Sequence, residues 1–225
     1  MKALALDPGG LCGFAVGELG DIPRWGTRRT ARGAVTGEAL SSFAGWLREL
    51  LIAEAPDIVC FESPYIAMRG AEIPRNAVTI RRLHCYAGMI EAVCWRLKIK
   101  VYESRPSEIC RFFTGQGSWG GRAKKKAATV RMCMTFGWDV AGQVDAADAL
   151  SLWCFAEAVI DPVAAAQRRA RLGLELALHP PNEDAPRGRI AGRRGTSVRH
   201  KKSGGSSNGS KSNTATTGEF QFAAG

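Results

Sequence analysis

Four carboxylic acids, Asp7, Glu62, Asp145 and Asp148, carry the chemistry this sequence offers. The first two each close an apolar run. Lys2-Ala3-Leu4-Ala5-Leu6 ends in Asp7-Pro8-Gly9-Gly10, and Ile58-Val59-Cys60-Phe61 ends in Glu62-Ser63-Pro64. Apolar runs bounded by proline and glycine read as buried strands that stop abruptly. Both acids then stand at strand C-terminal ends, the edge at which open α/β sheets bind ligands. Asp145 and Asp148 are three residues apart in the helical stretch Val144-Asp145-Ala146-Ala147-Asp148-Ala149-Leu150, so they share one helix face. Taken singly, each has a plain structural reading: Asp-Pro-Gly is good turn chemistry, and acids suit a helix's first turn. Brought together without a counter-charge, the four would repel and take up protons. Two Mg²⁺ ions resolve that repulsion, since magnesium prefers carboxylate oxygen and keeps several waters; Mn²⁺ is the expected substitute. Ions about 4 Å apart activate a water and stabilise a leaving oxygen, which suits hydrolysis of a phosphodiester.

The elements that must position these acids follow from the hydrophobic pattern. Residues 11–16 and 24–29 read as two further strands, which with the first make an antiparallel meander. A helix opens at Thr36-Gly37, keeps Leu40, Phe43, Leu47 and Leu51 on one face, and stops at Pro56. After the Glu62 strand, Ile73, Ala77, Ile80, Leu83, Ala87, Ile90, Cys94 and Leu97 form the stripe of a long helix. Arg81 and Arg82 lie off that stripe, as a solvated face or as DNA contacts. Residues 100–103 read as a fifth strand, and Pro106 suits the first turn of a helix through Phe113. The following Gly115-Gln116-Gly117-Ser118-Trp119-Gly120 matches G-x-G-x-x-G literally, but no βαβ unit frames it. Lys124, Lys125 and Lys126 then stand at a helix start, where the dipole opposes them, so phosphate contact is the expected reason for them.

The remaining composition excludes several classes. No run of eighteen apolar residues exists among the 225, so no membrane span is expected, and the N-terminus lacks a secretory signal's long apolar region. The expected location is cytoplasmic. The seven cysteines form no C-x-x-C pair and mostly have apolar neighbours, and the three histidines do not cluster. They read as buried hydrophobes of a reduced compartment, with no zinc site and no disulfide framework. Net charge is +10, of which residues 187–225 contribute +7 from eight bases and one acid. That segment is rich in Gly, Ser, Thr and Asn and reads as a disordered basic tail, of the kind that meets polyanions. The expected organisation is a nuclease-sized domain over residues 1–162, a basic helical extension over 163–186, and the tail over 187–225.

Three strings in this order, Leu6-Asp7-Pro8-Gly9, Phe61-Glu62 and Asp145-Ala146-Ala147-Asp148-Ala149-Leu150, resemble the RuvC-like Holliday junction resolvases across about residues 1–160. The resemblance implies a ribonuclease H-like fold: a five-stranded mixed sheet, three strands antiparallel and two parallel, flanked by helices. It implies a homodimer that nicks two opposed strands of a four-way DNA junction in the presence of Mg²⁺. Asp7, Glu62, Asp145 and Asp148 would be the metal ligands. Tyr65 takes the place of an aromatic that stacks on opened bases. One of Lys124, Lys125 and Lys126 takes the place of a lysine at the site. The family's second lysine, in the helix before the glycine loop, has no clear match; Arg111 is the nearest base. The dimer contact would fall on the long helix, where Tyr86, Met89, Val93 and Trp95 add apolar surface beyond the stripe. A helicase partner is left unspecified. The competing readings are a nuclease of the same fold acting on RNA or other branched DNA, and a non-catalytic nucleic-acid-binding module. A sugar-kinase or actin-like ATPase also opens on a strand ending in Asp-x-Gly, but needs a much longer chain.

Overall fold

In the computed structural model, residues 1–30, 35–64 and 77–171 are described. Tyr65, the start of the long-helix stripe at Ile73, and the tail lie outside these residues.

The meander forms as the alternation predicts: β1 (Lys2–Asp7) pairs antiparallel with β2 (Leu11–Glu18), and β2 with β3 (Arg24–Arg29). Helix α1 (Thr36–Glu54) then crosses to β4 (Ile58–Glu62), which pairs parallel with β1. Helix α2 (Ala77–Leu97) crosses to β5 (Lys100–Ser104), parallel to β4. The sheet order is β3-β2-β1-β4-β5. Four more helices follow: α3 (Pro106–Thr114), α4 (Arg122–Thr135), α5 (Val144–Ile160) and α6 (Pro162–Arg171). The chain before the glycine loop is thus helical, so the literal G-x-G-x-x-G there frames no βαβ unit.

Successive strand residues point to opposite faces, and the two faces of this sheet differ in kind. Leu4, Leu6, Val16, Val59 and Phe61 bury against Phe43, Leu47 and Leu51 of α1 and Tyr86, Ile90 and Cys94 of α2. The opposite face is made of small residues: Ala3, Ala5, Ala15 and Cys60. Small side chains let a helix come close, and α5 takes that place, lying across β1 and β2. Helix α5 is apolar on all sides because it is covered on all sides. Its residues from Ala146 to Ala158 are buried between the sheet and α3, α4 and α6. It runs to Ile160.

Helix α6, at the start of the expected basic helical extension, packs against α5. Arg168 of α6 is 6% exposed, and its Nε lies 2.8 Å from Glu157 Oε2 on α5. The same guanidinium donates to the Asp21 carbonyl oxygen in the turn after β2 and stands 4.8 Å from the centre of the Trp153 ring. Glu157 Oε1 accepts the Gly20 N–H at 2.7 Å. One buried ion pair thus ties α6, α5 and the β2–β3 turn together. Among the described residues no helix is long and apolar enough to cross a membrane, and the cysteines are free.

Candidate active site

Asp7 closes β1 on the α5 side of the sheet, in phase with Ala3 and Ala5. Its register partner on β2 is Gly13. A Cβ built on Gly13 would stand 1.8 Å from the Asp145 carbonyl oxygen and 3.2 Å from the Ala146 nitrogen. The first turn of α5 therefore rests directly on the β2 backbone, beside Asp7. From that turn Asp145 and Asp148, one helical step apart, reach the same point. A carboxylate oxygen from each of Asp7, Asp145 and Asp148 lies within 4.8 Å of the others. The expected convergence of separate segments on one place is what the fold delivers for these three.

Glu62 closes β4, the strand parallel to β1, and shares the face of Cys60. It stands outside the three-carboxylate group yet within electrostatic reach of it. Burial, and then the charges of Glu62, Asp148 and Asp145, hold the Asp7 carboxyl well above the ordinary carboxylate range. Burial raises Asp148 also, with Lys125 and Lys126 opposing it and Asp145 reinforcing it. Glu62 is raised by burial, against the pull of Lys125. Like charges gathered in a half-dry pocket favour protonation or a bound cation.

Lys126 supplies part of that positive charge. Its Nζ lies 2.8 Å from Asp145 Oδ1 and 3.6 Å from Asp148 Oδ2. This lysine near the start of α4, where the helix dipole opposes it, is held by two carboxylates. Lys125 is half-buried; burial works against its charge, but Glu62 and Asp148 outweigh that and raise its pKa. Lys124 is exposed. Of the three adjacent lysines, only Lys126 makes an ion pair with the acids among the described residues.

The other expected DNA contacts lie elsewhere. Arg111 is exposed on α3, against the glycine loop at Gly117. Arg81 is exposed on α2, and Arg82 donates from Nε to Thr36 Oγ1 at 3.2 Å, which ties α2 to the start of α1. Tyr86, expected as spare apolar surface on α2, is buried, with its ring 4.7 Å from that of Phe43; Met89 and Val93 pack against the same core. Trp95 remains 74% exposed. Gly13, beside the carboxylates, and Arg168, which holds α6 to α5, are the positions that pattern reading passed over. A Gly in phase with small residues, opposite a strand-ending Asp, was the available signal for the first.

A meander of three strands extended by two parallel ones, with α5 laid across β1 and β2, is the ribonuclease H-like fold. Among solved structures, the chain is similar to Thermus thermophilus RuvC in complex with Holliday junction substrate. That match has a TM-score of 0.51 at 15% identity and covers 77% of this chain and 96% of that one. A second Thermus thermophilus RuvC structure gives 0.48 at 16% identity, covering 77% and 97%. The yeast mitochondrial Holliday junction resolvase Ydc2 gives 0.49 at 13% identity, covering 76% and 80%. No protein-family profile matches the chain, and no curated protein matches it in sequence.

Proposed function

We propose that this chain is a divalent-metal-dependent endonuclease that resolves four-way DNA junctions by paired symmetric nicks. The observation that carries the reading is the meeting of Asp7, Asp145 and Asp148 within 4.8 Å. They meet on a fold shared with a protein whose structure holds a Holliday junction. The donor set fits a hard cation: it is all carboxylate oxygen, burial and mutual repulsion penalise its bare charge, and the Lys126 ammonium already sits between two of its members. Magnesium binds such oxygens and tolerates few others. Asp7, Asp145 and Asp148 would hold the ions, with Glu62 at the margin; bound there, they supply an activated water and charge stabilisation for the leaving oxygen.

The chain's own residues set the rest. Gly13 and the alanines of α5 hold the carboxylates close enough to share a cation. Lys125, beside Glu62 and Asp148, presents positive charge to the phosphate that enters. Lys126 keeps Asp145 and Asp148 paired before substrate arrives and is free to turn to phosphate afterwards. Arg111, Lys124, Arg81 and Arg82 are proposed as backbone contacts and Tyr65 as a stacking residue, with the basic tail adding affinity that falls with salt.

Two cuts in one symmetric substrate call for two sites related by a two-fold axis. We place the second copy on the outer face of α2, around Trp95, which is 74% exposed and lies on the side of the helix away from the buried Ile90 and Cys94. A synthetic four-way junction, a linear duplex and an RNA hairpin, each incubated with Mg²⁺ or with EDTA, test the proposal. Mg²⁺-dependent nicks confined to the junction support it, and cleavage of the hairpin alone moves the assignment to RNA.

A further inference from the structure

Two residues of neighbouring strands stand out as incomplete. Glu62 is the one acid of the four outside the 4.8 Å group. Ser104, at the end of β5, is 2% exposed, and its Oγ is buried with no hydrogen-bond partner. The only other buried side-chain polar atom without a partner among the described residues is Trp153 Nε1, on α5. Buried hydroxyls are nearly always paired, and leaving one unpaired costs free energy. An orphan of this kind marks a place where a partner arrives.

The register names the partner. Glu62 and Ser104 are directly opposite one another in the parallel β4–β5 ladder, as are Cys60 and Tyr102 two residues before. Cys60 and Tyr102 belong to the core beneath α5, so Glu62 and Ser104 share that face, which is also the face of Asp7. Neighbouring strands are about 4.8 Å apart, within reach of a hydrogen bond between a serine hydroxyl and a glutamate carboxylate. The backbone there is fixed, because Ser63 N–H donates to the Ser104 carbonyl oxygen at 2.8 Å. Only side-chain rotation is left to bring the two groups together.

We propose that Ser104 is a positioning residue for the cation site: its Oγ–H donates to the Glu62 carboxylate when a divalent ion is bound, and so fixes Glu62 as the fourth ligand. This rests on the reading of the carboxylates as a metal site. A ligating carboxylate needs its other oxygen held, and outer partners of metal ligands typically change affinity by about 10–100-fold. In the structure Ser104 Oγ has no partner, so the Glu62 carboxylate does not reach it there. Ser104 touches neither substrate nor reacting atoms.

The test is Mn²⁺ binding by the full chain without DNA, followed by electron paramagnetic resonance of the free ion, in wild type, Ser104→Ala, Glu62→Gln and the double variant. Thermal unfolding is read in EDTA alongside. The expected result is that Ser104→Ala weakens Mn²⁺ about tenfold or more, leaves the melting temperature in EDTA unchanged or higher, and has no further effect once Glu62 is Gln. A hydroxyl with a merely structural role would instead lower the melting temperature and act additively with Glu62→Gln. That additive result, or Ser104→Ala binding Mn²⁺ as wild type does, overturns the assignment of Ser104 and leaves the metal site standing. A wild-type chain that binds no Mn²⁺ overturns both.

Discussion

Gly13 and Asp145 meet backbone to backbone: a single Cβ on Gly13 would overlap the Asp145 carbonyl oxygen at 1.8 Å. The contact lies one ladder rung from Asp7, so it sets the distance between the strand that carries one carboxylate and the helix that carries two. Neither partner is the far end of a flexible side chain, and relief requires α5 to move. Gly13→Ala should therefore cost about 1–3 kcal/mol by overpacking. It should weaken Mn²⁺ binding at least tenfold by parting Asp7 from Asp145 and Asp148. Gly45→Ala is the control, since nothing lies within 4 Å of a Cβ at that position on α1. It should stabilise by about 0.5–1 kcal/mol and leave ion binding alone. Urea unfolding and Mn²⁺ titration of the two variants check this.

The carboxylates also make stability depend on pH in a particular direction. Burial raises Asp7, with Glu62 and Asp148 adding to it; burial likewise raises Asp148 and Glu62, partly offset by Lys125. Between the ordinary carboxylate range and these raised values the folded chain binds more protons than the unfolded chain. Stability then falls as pH rises through that window. Glu54 runs the other way: its hydrogen bond from Lys2, with help from Arg24, lowers its pKa, so its contribution is lost only in more acid solution. In EDTA, the melting temperature should rise as pH is lowered from neutral into the window, and Asp7→Asn should flatten that rise. Mg²⁺ or Mn²⁺ at neutral pH should raise the melting temperature and remove the slope. A profile in EDTA identical for wild type and Asp7→Asn would contradict the account.

Arg168 and Glu157 form the buried pair that holds α6 to α5, with the turn after β2 pinned to both. Truncation of one partner leaves a buried charge alone, which typically costs about 3–5 kcal/mol. Arg168→Ala should lose about that much in urea unfolding, and the double variant Arg168→Met with Glu157→Gln should recover a large part of it. A loss below about 1 kcal/mol for Arg168→Ala would show that α6 is held by other contacts.

The order of elements was legible because each strand and helix has its own local pattern and few alternatives compete. Asp7 could be placed at a strand end because Pro8 and Gly9 follow it at once, Glu62 because Pro64 follows two residues later, and Asp145 and Asp148 on one face because three residues make nearly a helical turn. The distances between those segments were not legible, since they depend on what lies between. Gly13 offers only a weak signature, a glycine in phase with small residues opposite a strand-ending Asp, and its contact with α5 appears only once the helix is placed. Arg168 read as part of a basic helical extension, because charge pattern does not reveal that Glu157, eleven residues earlier, is its buried partner. Three lysines in a row give no sequence reason to prefer Lys126; its ion pairs with Asp145 and Asp148 do.

The most direct test of the nuclease reading is an end-labelled four-way junction incubated with Mg²⁺ and either the wild-type chain or Asp7→Asn, with binding followed by gel shift in Ca²⁺ and cleavage by denaturing gel. Asp7→Asn removes a proposed cation ligand and no proposed DNA contact. The account predicts paired nicks placed symmetrically by the wild type, none by the variant, and junction affinities for the two within about threefold. Wild-type chain that leaves the junction intact, or Asp7→Asn that cuts it as the wild type does, would contradict the account.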